Sequence, residues 1–159
     1  MPEVKLIAAV DENLGIAQKG KIPWRLPTDQ KYFQDHVKPG PVVMGWNTFA
    51  ANNYKPYGQG PNTVITREDK EAVPGVWVVH DAKEFFEKNK SDIWVAGGGQ
   101  IFKEALPYAT ELYITRVEGT YDCDVFFPEF EDKFELVSGQ PEQIENDIKF
   151  RYQIWKRKV

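Results

Sequence analysis

Val95-Ala96-Gly97-Gly98-Gly99-Gln100-Ile101-Phe102 is the stretch that decides the fold class. An apolar run that ends in three glycines before an amphipathic segment predicts a buried strand turning straight into a helix. Glycines at such a turn let the backbone approach a ligand, and the free N–H groups at the helix start favour an anion such as a diphosphate. A plain strand-to-helix turn needs only one or two glycines, so we favour phosphate binding. The pattern is not G-x-G-x-x-G, and the usual dinucleotide fingerprint is therefore absent.

The same alternation of short apolar runs and amphipathic stretches continues along the chain in both directions. It predicts an α/β fold with a central, mostly parallel sheet covered on both faces. The eight expected strands are Val4–Val10, Pro41–Gly45, Thr63–Thr66, Val76–Val79, Ile93–Ala96, Leu112–Val117, Phe134–Ser138 and Lys149–Lys156. The four expected helices are Thr28–His36, Thr48–Asn52, Ala82–Asn89 and Gln100–Leu106. The last two strands have no helix between them and predict an antiparallel C-terminal hairpin with a long polar connection, Gly139 to Asp147.

Length and composition exclude several classes of protein. A chain of 159 residues fits a single domain, 1–159, and leaves no room for separate cofactor and substrate domains. The formal net charge of -4, without a basic block, argues against nucleic acid or an anionic membrane as the main partner. With the lone Cys123 and only His36 and His80, we expect no disulfide, no bound metal and a cytoplasmic location. Neither a signal peptide nor a membrane span is expected.

Two further strand ends carry groups suited to phosphate. Val43-Met44-Gly45-Trp46-Asn47-Thr48 predicts a strand, a glycine and a helix capped by Asn47 or Thr48. Alone it predicts only a capped helix, but beside the triple glycine it supplies a second helix start for a dinucleotide. Thr66-Arg67 places a hydroxyl and a guanidinium directly after a strand, which suits the extra phosphate of NADP. A solvated Arg67 fits the same pattern.

The connection from Asp11 to Thr28 precedes a helix whose apolar face contains a carboxylate. So long a connection without secondary structure of its own predicts a lid or binding loop. Asp29 shares a helix face with Phe33 and Val37, because residues three and four apart are neighbours on a helix. A buried carboxylate needs a partner to offset its desolvation, and no cation is obviously placed there. A ligand with paired N–H donors, such as an aminopyrimidine ring, would serve.

Taken together, the chain resembles the dihydrofolate reductase family over nearly its whole length. The motifs that carry the resemblance, in order, are Leu6–Val10, Leu14–Ile16, Ile22–Trp24 followed by Asp29 and Phe33, Val43–Gly45 with Thr48, Ala96–Gly99, Leu112–Thr115 and Phe127-Pro128. Each motif is weak alone, and their order and spacing carry the assignment. The resemblance implies a three-layer fold and NADPH-dependent hydride transfer to C6 of 7,8-dihydrofolate, with N5 protonated by a water.

The resemblance also implies a role for each matching residue. Asp29 would bind the 2-amino group and N3 of the pterin, helped by Thr115, with Ile22 and Trp24 closing the site. The other residues implied to line the substrate site are Ile7, Ala8, Gln30, Phe33 and Asn52. Those implied to bind NADPH are Ala9, Leu14, Gly15, Ile16, Gly45, Trp46, Asn47, Thr48, Thr66, Arg67, Ala96, Gly97, Gly98, Gly99, Gln100, Ile101 and Phe102. The family pattern further implies a cis peptide between Gly97 and Gly98.

One departure from the family pattern concerns the substrate's tail. Gly60 stands where the family places an arginine for the glutamate carboxylate of folate. A charge-assisted bond is worth about 1.5–3 kcal/mol, so its loss weakens binding roughly ten- to hundredfold unless Lys55 or Arg25 substitutes. Gly60→Arg is therefore expected to improve dihydrofolate binding. The alternatives are a reductase of a tail-less dihydropterin and a non-catalytic pterin- or nucleotide-binding protein. In each case we expect a monomer whose partner is a small molecule.

Overall fold

The molecule is built in three layers, with one mixed β-sheet between two layers of helix. The computed structural model describes residues 2–70 and 73–159. The helices, in chain order α1 to α4, are Pro27–Val37, Trp46–Ala51, Ala82–Lys88 and Gly99–Ala105. A short 3-10 turn, Leu106–Tyr108, continues from α4. No helix in these ranges is long and apolar enough to cross a membrane.

The strands form one large sheet and one small ladder. In chain order, β1 to β11 are Val4–Val10, Gly15–Ala17, Val42–Gly45, Asn62–Ile65, Val76–Val79, Ile93–Val95, Glu111–Val117, Val125–Phe126, Phe134–Gly139, Gln143–Glu145 and Ile148–Arg157. The large sheet has the order β10-β11-β7-β1-β6-β3-β4-β5, and β9 also pairs with β11. Its strands are parallel from β7 to β5, whereas β9, β10 and β11 are antiparallel to their neighbours.

Alternation along β1 separates the two faces of the sheet. Leu6 is buried in the cluster that contains Phe86 of α3 and Phe102 of α4. Ile7, the next residue, is buried on the opposite face with Val37 of α1 and Phe49 of α2, because successive strand residues point to opposite faces. Full burial of each such side chain contributes about 1.5–3 kcal/mol. The α1 face therefore meets the ends of β1 and β7, and this is where the site lies.

The predicted α/β fold and its three layers are confirmed, and all eight predicted strands and four predicted helices form. The differences lie in short or exposed elements. The predicted polar connection contains β10, whose Ile144 is 64% exposed; an edge strand outside the core lacks the apolar alternation that marks a buried strand. The long connection after β1 also has secondary structure, since β2 pairs with β8.

Candidate active site

Asp29 lies in the first turn of α1 and meets a residue from the middle of the sheet. The helix begins with Pro27, a residue whose fixed φ suits the first helical position. Thr115 of β7 is 3% exposed, and its hydroxyl donates a 2.7 Å hydrogen bond to Oδ1 of Asp29. Thr115 is paired with Ala9 of β1, so the contact lies where α1 crosses the two central strands. The structure thus brings the predicted carboxylate and the predicted hydroxyl together.

The surroundings of Asp29 favour its neutral form. Burial is the main cause that raises the pKa of Asp29 above its ordinary value, and the negative charge of Glu145 acts in the same direction. The hydrogen bond from Thr115 lowers the pKa, because it stabilises the ionised carboxylate. Among the described residues no cation contributes to the shift. The carboxylate is therefore set up for a partner that brings its own N–H donors.

Three apolar side chains predicted for the substrate site are buried or partly buried. Ile7 is buried on the α1 face, and Phe33 packs edge-on against Tyr57, with ring centroids 5.3 Å apart. Trp24 is buried and meets Tyr121 edge-on at 5.2 Å. Tyr57 was not among the residues singled out from the sequence, because the loop around it has no periodic pattern. The contact of the three predicted side chains with a substrate ring stays a prediction.

Four other residues predicted for the substrate site have side chains that are exposed or engaged elsewhere, and their contact with a substrate stays a prediction. Ile22 is 60% exposed, and Gln30 is exposed on the outer side of α1. Ala8 packs against the cluster on the far face, since it alternates with Ile7 along β1. The side-chain amide of Asn52 donates to the carbonyl of Lys55 at 2.8 Å and closes the turn after α2. The side chains of Ala8 and Asn52 are thus already used for packing and for a turn.

The connection after β1 is fastened by Asp11, a residue that the sequence analysis did not single out. Its buried carboxylate accepts from the backbone N–H groups of Asn13, Gly15 and Tyr121 at 2.8–3.1 Å. A Cβ atom at Gly15 would lie 2.5 Å from Cβ of Cys123, so only glycine fits. Asp11 satisfies its own charge through backbone donors, and the only sequence signal for this is an acidic residue directly after a buried strand.

Leu14 and Ile16 lie in the same fastened segment. The amide of Leu14 donates to the carbonyl of Asp11, and its carbonyl accepts from Phe127 at 2.8 Å. Both Leu14 and Ile16 pack partly buried against the cluster on the α3–α4 face. The backbone groups of Leu14 are thus bonded within the protein, and a cofactor contact at either residue stays a prediction.

The two glycine turns meet at one edge of the sheet. The amide of Gly45 donates to the carbonyl of Gly97 at 2.7 Å, which brings the starts of α2 and α4 together. The Gly97–Gly98 peptide is cis, as the family resemblance implies. Gly97 has a φ of 113°, in the region that favours glycine. Backbone N–H groups at these turns are available for an anion, because neither helix start has a side-chain cap.

The predicted cap of α2 is wrong in position. The helix begins at Trp46 with Gly45 as N-cap, and neither Asn47 nor Thr48 caps it. Instead, the Thr48 hydroxyl lies 3.6 Å from the position that a Cβ atom would take at Gly97 or Gly98. Helix α2 begins two residues before the predicted start at Thr48, because glycine also serves as an N-cap.

Thr66 and Arg67 follow β4 at the outer edge of the same surface. Arg67 is 85% exposed and lies 3.5 Å from Glu104 of α4. Nδ1 of His80 is 2.9 Å from the carbonyl oxygen of Thr66. The imidazole ring therefore lies next to the residue that precedes Arg67. A cavity of about 400 Å³ is lined by Arg67, His80, Asp81, Ala82, Lys83 and Glu104. His80 and Lys83 were missed, because single basic residues in sequence look like ordinary surface.

Trp46, at the start of α2, has a cation beside it. The ammonium group of Lys70 lies 5.0 Å from the Trp46 ring centroid. A cation over an indole face is attracted by the ring quadrupole. A positive charge is therefore present at this position, supplied by the β4–β5 connection rather than by α2.

The backbone at Gly60 rules out the substitution proposed from the sequence. A Cβ atom there would lie 2.5 Å from the Pro39 carbonyl oxygen and 2.9 Å from Cα of Gly40. The buried amide of Asn62 also binds the Gly60 carbonyl at 3.1 Å and both backbone groups of Tyr57. Gly60→Arg would have to move this loop, so the variant would disturb the fold as well as the tail site, and its effect on binding stays a prediction.

Comparison with known proteins agrees with this geometry. The family model described as dihydrofolate reductase matches residues 3–157. The dihydrofolate reductases of Drosophila melanogaster and Aedes albopictus are 33% and 32% identical to this chain. Each alignment covers 99% of this chain and 98–99% of the relative. A solved structure of dihydrofolate reductase from Enterococcus faecalis, complexed with NADP(H) and RAB-propyl, matches with a TM-score of 0.87 and 29% identity over 99% of this chain and 97% of that one. By its sequence and by its fold, the chain belongs to the dihydrofolate reductase family.

Proposed function

We propose that this protein reduces 7,8-dihydrofolate to 5,6,7,8-tetrahydrofolate with NADPH. The observations that carry the proposal are the pair formed by Asp29 and Thr115 and the meeting of the two glycine turns at Gly45 and Gly97. Membership of the family supports the reaction, and the NADP(H) bound by the Enterococcus faecalis relative supports the cofactor. No group of three or more possible metal-ligating side chains occurs in residues 2–70 and 73–159.

Asp29 is the residue that we expect to hold the pterin ring. Its two carboxylate oxygens can accept in parallel from the 2-amino group and N3, and such charge-assisted pairs are strong and directional. Thr115 fixes Oδ1 by donating to it, which leaves the remaining lone pairs for the ligand. We expect Ile7, Phe33 and Trp24 to exclude water from the bound ring, and electrostatic interactions are stronger in a drier site.

The glycine turns are the part of the chain that we expect to hold the diphosphate of NADPH. At Gly98 the space that a Cβ atom would fill is bordered only by the Thr48 hydroxyl, at 3.6 Å, among the described residues. A phosphate can therefore approach the backbone there, as it could not beside a larger residue. Arg67, Thr66 and His80 would bind the phosphate that distinguishes NADPH from NADH. NADPH, when bound, supplies the hydride that is added to C6 of the pterin.

Asp29 is also expected to favour the proton at N5. Its charge in a low-dielectric site stabilises a developing positive charge on the ring without touching N5, which takes its proton from water. Burial raises the pKa of Asp29, so the carboxyl group keeps its proton to a higher pH than an exposed aspartate does. The residue therefore has an orienting role and an electrostatic role.

A second candidate substrate is a dihydropterin without the aminobenzoyl-glutamate tail. It is favoured by Gly60, because the backbone around this residue leaves no room for the side chain that the family uses for the tail. Lys55 and Arg25 are both exposed and stay candidates for a substitute charge. The two substrates differ only in the tail, so a direct comparison separates them.

The test is oxidation of NADPH by the purified protein with dihydrofolate and, in parallel, with the tail-less dihydropterin. We expect turnover of dihydrofolate, and a lower KM for it than for the tail-less compound if Lys55 or Arg25 recognises the tail. Equal kcat/KM for the two compounds would show that the protein does not recognise the tail and reduces dihydropterins with or without it. Absence of turnover with either compound would contradict the proposal and favour a binding protein.

We further propose that the protein acts as a monomer in the cytoplasm, as a single domain over residues 1–159. The single cysteine supports a reducing compartment, because it cannot form an internal disulfide. Light scattering at working concentration tests the monomer, and a mass of two chains would contradict it.

A further inference from the structure

Glu145, at the end of β10, reaches the first turn of α1. Its Oε1 accepts from the backbone N–H of Thr28 at 3.0 Å, and its Oε2 accepts from the Thr28 hydroxyl at 2.6 Å. Next to it, the Asn146 amide donates to the carbonyl of Arg25 at 3.0 Å. Three hydrogen bonds therefore fasten the β10–β11 turn to the segment that carries Asp29.

The start of α1 lacks a cap of its own, and Glu145 replaces it. Leu26 is the N-cap residue and has no polar side chain, while Pro27 has no N–H to donate. Thr28 thus carries the first free N–H of the helix, which normally binds a serine, threonine or aspartate side chain at the N-cap. A carboxylate from 117 residues away takes this place, and the next residue along the helix is Asp29.

Among the described residues, Glu145 is the charged group that acts on the pKa of Asp29. Thr115 of β7 donates to Asp29, and Tyr32 of α1 stacks on Tyr152 of β11 at 3.9 Å between ring centroids. The buried hydroxyl of Tyr152 makes no hydrogen bond within the described residues, and burial raises the pKa of both tyrosines to about 12. Lys31, the nearest basic residue along α1, is bound to Asp35 at 2.6 Å. The negative charge of Glu145 is therefore not offset beside Asp29.

We propose that Glu145 is a positioning residue for the reduction: it fixes the first turn of α1 through Thr28 and holds a second negative charge beside Asp29. The inference deepens the proposed function and depends on it for its kinetic consequence only. The charge disfavours ionisation of Asp29 and favours a positive charge on a bound pterin ring. Glu145 acts through Asp29 and through the field, without contact to the reacting atoms.

The first test measures the proton of Asp29 directly in the ligand-free protein. The carboxyl carbon signal of ¹³C-labelled aspartate is titrated by NMR in the unmodified protein, E145Q and E142Q, with D29N to assign the signal. E145Q removes the charge and keeps an oxygen that can accept from Thr28. Glu142 lies directly before β10 and makes no side-chain hydrogen bond to α1 within the described residues. E142Q removes the same charge and is therefore the matched control. Should E145Q fold poorly, E145A replaces it.

We expect the Asp29 midpoint to move to lower pH in E145Q, because a neighbouring negative charge is lost. The midpoint in E142Q should stay near that of the unmodified protein. Added salt should reduce the difference between E145Q and the unmodified protein, since Glu145 is only half-buried and its charge is screened. Equal midpoints in E145Q and E142Q would overturn the proposal, whether or not the protein is active.

The second test follows the reaction. Above the Asp29 midpoint, E145Q should reduce dihydrofolate roughly two- to fivefold more slowly, which is the scale of an exposed charge pair, with little change in KM. Its pH profile should move in the same direction as the NMR midpoint. A protein without any NADPH oxidation would contradict the proposed function while leaving the NMR result intact. A slower E145Q with an unmoved pH profile would reduce Glu145 to a structural cap and overturn the proposal.

Discussion

The Asp29 region and the glycine turns are the two halves of the site, and they are built in opposite ways. Around Asp29 the contacts are made by side chains from separate segments, with Thr115 and Glu145 distant in sequence. At Gly45 and Gly97–Gly99 the backbone itself forms the turns, and the residues matter chiefly because they are small. We therefore expect substitutions in the first half to alter chemistry and protonation, and those in the second to alter cofactor affinity and folding.

Asp29→Asn gives the largest effect and separates the two halves most sharply. The amide cannot accept two parallel hydrogen bonds from the ring or supply a negative charge, so kcat/KM for dihydrofolate should fall by about 10²-fold or more. Steady-state kinetics and NADPH fluorescence titration measure the two halves separately. NADPH affinity should stay within about twofold of the unmodified protein. A large loss of NADPH affinity would contradict the division of the site into two independent halves.

The same substitution should also stabilise the fold near neutral pH. Because burial raises the folded-state pKa of Asp29, its ionised form penalises the folded state at pH above that pKa. Asn removes the penalty, so the free energy of unfolding should increase. The gain should shrink as the pH falls through the folded-state pKa and vanish below the ordinary pKa of aspartate. Urea denaturation across this range checks it, and a pH-independent difference would contradict the sign.

Gly97→Ala should give the largest effect in the cofactor half. The new Cβ would lie 3.0 Å from the Phe102 ring, and the φ of 113° disfavours any side chain. We expect a loss of unfolding free energy of about 1–3 kcal/mol and weaker NADPH binding. Dihydrofolate binding to the cofactor-free protein, measured by calorimetry, should be much less affected. Gly20→Ala, at a positive φ with open space around it, is the control for backbone strain.

Thr115→Val should have a smaller effect, opposite in sign to that of E145Q. Losing the hydrogen bond to Asp29 removes the contribution that lowers its pKa, so the pH profile should move to higher pH. Activity should fall about tenfold, the scale of one hydrogen bond to a charged group. A profile that moves to lower pH would contradict the assignment of Thr115 as the donor.

The sequence predicted the two halves unequally, for a physical reason. Each glycine turn is one continuous stretch of sequence, so the motif around Gly97–Gly99 can be recognised directly. Its proximity to Gly45 followed from the rule that parallel strands end at the same edge of the sheet. Asp29 and its helix face were also predictable, because burial of a carboxylate is visible in the helical period. The roles of Asp11 and Glu145 were not, since both depend on contacts between segments separated by about 100 residues or more.

Short strands and one helix cap were not predicted from the sequence for a related reason. β2 and β10 have three residues each, and neither has an apolar face that a period could reveal. The cap of α2 was misplaced because glycine replaced the polar side chain that normally marks a helix start. In each case the determining interaction is a backbone contact with a distant strand or turn.

The central claim is that both halves serve one hydride transfer, and an isotope label tests it most directly. The protein is incubated with dihydrofolate and NADPH deuterated at C4 of the nicotinamide, and the product is analysed by NMR and mass spectrometry. The account predicts tetrahydrofolate with one deuterium, located at C6, and no such product from D29N on the same time scale. Tetrahydrofolate without deuterium at C6, or equal labelling by D29N, would contradict it.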